Sequence, residues 1–81
     1  MLNAIIVDDE QKSITSLKWD LSSFKHLLNI DGTFTDPYQA IEYLNQNDVN
    51  LIFLDIEMPA MDGFEFLDHF ENRNFEVVFV T

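Results

Sequence analysis

Leu51-Ile52-Phe53-Leu54-Asp55-Ile56-Glu57-Met58-Pro59-Ala60-Met61-Asp62-Gly63 is the stretch whose reading decides the fold. Its first residues form a short, unbroken apolar run, the pattern of a strand buried on both faces rather than one with a wet side. The run stops on a carboxylate, Asp55, and Pro59 punctuates the segment that follows. Asp62-Gly63 then opens a helix, because Phe64, Leu67 and Phe70 repeat at helical spacing behind a residue suited to an N-cap, and Phe64, Phe66 and Phe70 are expected to be mostly core. The local order is strand, acid, loop, helix.

The same order repeats toward the N-terminus. Ala4-Ile5-Ile6-Val7 is a second continuous apolar run, and Asp8-Asp9-Glu10 follow it at once. Ile14, Leu17, Leu21, Phe24 and Leu28 recur at three- and four-residue intervals, which predicts an amphipathic helix carrying all three lysines, Lys12, Lys18 and Lys25. Trp19 falls off that stripe and is expected to be partly buried. Leu28 to Phe34 alternates weakly, as a strand does, and ends at Thr35-Asp36-Pro37, where Asp36 can cap a helix and Pro37 suits its first turn. Ala40, Ile41 and Leu44 give that helix its apolar face. Toward the C-terminus, Val77-Val78-Phe79-Val80-Thr81 reads as a fourth strand. The whole chain is then βαβαβαβ, an α/β domain with a parallel sheet, three helices and right-handed crossovers.

Length and composition bound what this unit can be. At 81 residues there is room for one small domain, and a hydrophobic share of 47% with 23% charged residues predicts a packed core rather than a disordered chain. Fifteen Asp and Glu against 4 Lys and Arg give a net charge of -11, which repels a phosphate backbone or an anionic bilayer. Neither nucleic acid nor membrane is an expected partner of this segment. The absence of cysteine excludes disulfides, thiol nucleophiles and cysteine-based zinc sites, and the acidic start has neither the basic flank nor the length of a signal peptide. A cytoplasmic location is expected.

In open parallel sheets, ligands bind outside the carboxyl ends of the strands, where the strand order reverses. Asp8 and Asp9 close the first strand and Asp55 the third, so a reversal between those strands gathers three carboxylates in one pocket. Two such charges about 4 Å apart repel by roughly 4 kcal/mol at an effective dielectric of about 20, so the cluster requires a proton or a cation. A hard divalent ion with oxygen ligands, magnesium above all, suits a half-open acidic crevice. The plainer reading of Asp8, Asp9 and Glu10 is a set of acids favoured at a helix start by the macrodipole. His26 and His69 stand alone on predicted helices and read as solvated surface.

These residues resemble the response-regulator receiver family of two-component signalling. Its acidic pair looks like Asp8-Asp9, and its phosphoacceptor motif looks like Asp55-Ile56-Glu57-Met58-Pro59-Ala60-Met61-Asp62-Gly63. The resemblance implies a flavodoxin-like sheet of order 2-1-3-4 and a signalling domain, not an enzyme, that takes a phosphoryl group from a histidine kinase onto Asp55. It also implies Mg2+ held by Asp8, Asp9, Asp55 and the main-chain carbonyl of Glu57, with Thr81 as the switch hydroxyl and Met58, Pro59 and Gly63 shaping the loop. By the same resemblance, residues 1–81 are expected to make a partial receiver domain, without the family's last helix-strand-helix and its phosphate-binding lysine. That truncation is expected to leave apolar sheet under strands three and four, and a bare fourth strand, that drive self-association.

Two rival functions come from other classes. An Asp-nucleophile phosphohydrolase also places an acid after an apolar strand, but its motif needs a second Asp two residues on, where this chain has Glu57. A pseudo-receiver would keep the fold as an interaction module without phosphate signalling.

Overall fold

A computed structural model of the chain describes residues 1–80. The apolar runs become strands: β1 (Leu2–Val7), β2 (Leu28–Phe34), β3 (Leu51–Asp55) and β4 (Glu76–Val80). Between them lie α1 (Gln11–Leu21), α2 (Pro37–Gln46) and α3 (Gly63–Leu67), and α1 runs on into a 3-10 turn over Ser22–Phe24. The four strands form one parallel sheet in the order β2-β1-β3-β4, the order that the family resemblance implies.

Strand pleating sorts the core into two halves. On one face Ile5, Val7, Ile52 and Leu54 pack with Ala40 of α2, Phe66 and Leu67 of α3, and the loop methionines Met58 and Met61. On the other, Ala4, Ile6 and Phe53 pack against Ile14 of α1, with Leu17 and Leu21 beside them. α1 therefore covers one face alone, and α2 and α3 share the opposite face. The register puts Val78 and Val80 on the α1 side, opposite Phe53 and Asp55. Phe53 is nonetheless buried, so the uncovered apolar surface on that side is concentrated on Val78, 42% exposed, rather than spread under both strands.

Three local expectations fail for identifiable reasons. The α1 stripe does not extend to Phe24 and Leu28: the Ser22 hydroxyl and amide both donate to the Trp19 carbonyl and close the helix, leaving Phe24 exposed and Leu28 on β2. Lys25 consequently lies past α1, while Lys12 and Lys18 are on it. Trp19 is 79% exposed rather than partly buried, because it lies off the apolar stripe of Ile14, Leu17 and Leu21 that packs on the sheet. Of the α3 phenylalanines only Phe66 is fully buried; Phe64 is 59% exposed, and Phe70 lies beyond the five-residue helix.

Register is pinned at the amino ends of the strands. Asn50 donates its amide to the Asn3 carbonyl, its side chain accepts from the Asn3 amide, and its carbonyl accepts from the Glu76 amide. One residue thus ties β1, β3 and β4 at the end opposite the acids. No helix among the described residues is long and apolar enough to cross a membrane.

Candidate functional site

Each acid of the site owes its place to a strand that stops. β1 ends at Val7, and the Asp8 amide still donates to the Phe34 carbonyl at 3.0 Å, so Asp8 is held as the last rung against β2. β3 ends on Asp55 itself, beside Val80 in the register with β4. The two strand-ending carboxylates are then fixed in the same manner. Asp8 Oδ1 accepts the Glu10 amide at 2.9 Å, and Asp55 Oδ1 accepts the Glu57 amide at 3.1 Å. In both, a side-chain oxygen takes the N–H two residues ahead, the Asx turn that lets a short acid organise its own loop.

Because β1 and β3 are adjacent, these turns bring Asp8, Asp9 and Asp55 together, each offering a carboxylate oxygen within 4.8 Å of the others. Asp8 is buried, Asp55 half-buried and Asp9 exposed, which makes a crevice open on one side. The electrostatic consequence appears at Asp55, whose pKa rises from 3.8 to about 6. Burial is the largest cause and the neighbouring Asp8 and Asp9 add to it, while the Glu57 amide pulls the other way. Three clustered hard oxygens, one of them unable to keep its charge cheaply, are a donor set that fits a divalent cation of the magnesium type.

The loop beyond Asp55 is closed at its base, where the Gly63 amide donates to the Ile56 carbonyl at 2.8 Å. Asp62 caps α3 by accepting the Glu65 amide at 2.8 Å, and the Glu65 side chain reaches back to the Asp62 amide. Met58 is buried under this loop and Pro59 is exposed on it. A groove of about 500 Å³ runs beside the acids, lined by Asp9, Glu10, Ile56, Glu57, Met58, Pro59, Asp62 and Phe64.

The crevice brings Asp8, Asp9 and Asp55 together, with the Glu57 amide bonded to Asp55. Thr81 lies outside the described residues. Lys12 and Lys18 lie on α1 and Lys25 beyond it, and none belongs to the groove. Phe64 is the residue that sequence reasoning missed: helical spacing assigns it to the core, yet its ring tilts onto Phe79 with centroids 5.3 Å apart and borders the groove. Its place at the first turn, next to the cap, was the available signal.

Comparison with known proteins agrees with this geometry. The family model of the response regulator receiver domain matches residues 4–81. The chain is 34% identical over 83 residues to the transcriptional regulatory protein YpdB of Escherichia coli, an alignment covering 99% of this chain and 33% of that protein. The response regulatory domain of MrkE from Klebsiella pneumoniae superposes with a TM-score of 0.82 at 31% identity, over 96% of this chain and 65% of that one. A chain in the CheX-CheY-BeF3-Mg2+ complex of Borrelia burgdorferi gives a TM-score of 0.75 at 28% identity, over 96% and 60% respectively. The chain spans 33% of the length of YpdB, the relative with which it aligns over nearly all its own residues.

Proposed function

The chain belongs to the response regulator receiver domain family, and from that premise we propose that Asp55 is its phosphoacceptor, charged by a histidine kinase. One observation carries the reading: the acid that ends β3 shares its crevice with the two that follow β1, at the carboxyl edge of a parallel sheet.

In this reaction an Asp55 carboxylate oxygen attacks the phosphorus of a phosphohistidine. The phosphorus–nitrogen bond breaks, the imidazole nitrogen keeps the electron pair, and an acyl phosphate forms on Asp55. The Glu57 amide occupies Oδ1 and so orients the carboxylate for that attack. Asp8, Asp9 and Asp55 with the Glu57 carbonyl would hold Mg2+, which when bound supplies positive charge to the transferring group and offsets the repulsion among the acids. A chain of the same fold is known in a complex containing BeF3 and Mg2+, which supports this assignment. Met58, Pro59 and Gly63 shape the loop that carries Glu57. Thr81 follows Val80, the register partner of Asp55, and serves in this reading as the hydroxyl that answers phosphorylation. The domain signals rather than turning over substrate, in the cytoplasm, and binds neither nucleic acid nor membrane through this segment.

Incubation with phosphoramidate and Mg2+, followed by intact-mass analysis, tests the assignment. We expect one phosphoryl group per chain and none on Asp55→Asn. Uptake that survives in the Asn variant would refute Asp55. Repeated turnover of phosphate esters would favour a phosphohydrolase, against which Glu57 already stands, since that motif requires Asp there. Partner binding indifferent to phosphodonor would favour a pseudo-receiver.

A further inference from the structure

Gly63 is buried where α3 meets the end of β3, and it has no positive φ, so its backbone conformation is one that any residue adopts. What it lacks is room. A Cβ built there falls 3.0 Å from the Asp55 carbonyl oxygen and 3.1 Å from Ile56 Cα, both backbone atoms that cannot rotate aside. It also meets a Phe79 ring carbon at 3.4 Å, an ordinary contact with a side chain that can yield. The Gly63 amide meanwhile donates to the Ile56 carbonyl, so the helix start is both pressed against and bonded to the two residues that carry the site.

We propose that Gly63 is a positioning residue: the close approach it permits fixes the Asp55–Ile56 backbone so that the Glu57 amide stays on the Asp55 carboxylate. Residues 56 and 63 form the closed base of a loop whose second residue is Glu57. The hydrogen bond from Glu57 spans only one intervening residue, so its length follows directly from the path of the chain between Asp55 and Ile56. Pushing that path away by the few tenths of an ångström a methyl group demands lengthens or misaligns the bond and turns the nucleophilic oxygen. Misplacing a reacting group lowers the rate of a reaction that depends on its orientation. Phe79 gives the same helix end a second wall, and the Phe64 ring packs against it at a tilt.

The inference rests on Asp55 being the phosphoacceptor, and the test separates the two. Amide spectra of Gly63→Ala are compared with wild type, together with the rate of phosphoryl uptake from phosphoramidate, in which the phosphorus–nitrogen bond breaks and nitrogen leaves as ammonia. We expect a folded variant with dispersed sheet amides, a shifted Glu57 amide resonance exchanging about tenfold faster with solvent, and uptake slowed roughly ten- to a hundredfold. Adding Phe79→Ala makes space on the yielding side only, so it should restore neither readout; recovery of both would overturn the proposal by showing that the methyl acts through Phe79. A folded Gly63→Ala with a wild-type Glu57 amide and rate would overturn it equally. Should Gly63→Ala lose its dispersed spectrum, Asp62→Ala frees the same helix end without adding volume. Faster Glu57 exchange is then expected, and unchanged exchange would refute the role. No uptake by wild-type chain would instead strike the phosphoacceptor reading, while the Glu57 amide would still report on Gly63.

Discussion

The rise of the Asp55 pKa to about 6 makes stability depend on pH in the opposite sense to a salt-bridged carboxylate. A group whose folded pKa lies above its unfolded value stabilises the fold below the unfolded pKa, and that contribution is lost as pH climbs through the folded one. Without divalent cation, the chain should therefore grow less stable between about pH 4 and pH 7 on account of Asp55, and Asp55→Asn should remove that part of the slope. With the side chain half-exposed and screened, the effect at pH 7 is on the order of 1 kcal/mol in favour of Asn. Urea midpoints of both proteins at pH 4.5 and 7, in chelator, measure the difference, and equal slopes would contradict the shift. The same three acids were legible in the sequence because each follows an apolar run at once, and a parallel sheet offers such residues one edge. Phe64 was not legible, since helical periodicity records which side chains share a face and is silent on where a five-residue helix is tipped by its cap.

At the scale of elements, the shortest α-helix is the one most dependent on its ends. α3 has five residues, too few to stand on propensity, and its reciprocal Asp62–Glu65 cap satisfies amides that would otherwise be orphaned. Asp62→Ala should cost about 1 kcal/mol, read as a fall in urea midpoint with unchanged slope. By contrast, Phe66 is fully buried at the centre of the larger core, and Phe66→Ala should cost about 3–5 kcal/mol, enough to unfold a domain of this size. Strand and helix order could be read from periodicity alone, whereas the end of α1 could not. The apolar pattern continues through Phe24 and Leu28, and only the Ser22 bonds to the Trp19 carbonyl, a competition local to one turn, stop the helix.

The molecule as a whole is a four-stranded sheet whose β4 has no neighbour on its outer side among the described residues. An unpaired edge of this kind, with Val78 exposed on the thinly covered face, is expected to pair with a second copy. Sedimentation velocity should show concentration-dependent association that Val78→Lys reduces; a monomer at all concentrations would contradict this. The opposite end of the sheet, laced by Asn50, holds strand order while the acid edge is shaped by loops. Trp19 stands apart from both. It is the only tryptophan, it is nearly all in solvent, and it lies roughly 12 Å along α1 from the helix start beside the acids. The chain thus carries one tryptophan, exposed on α1 and set back from the carboxylates, whose emission should shift when another molecule covers that helix, so a docked partner can be detected without attaching a dye.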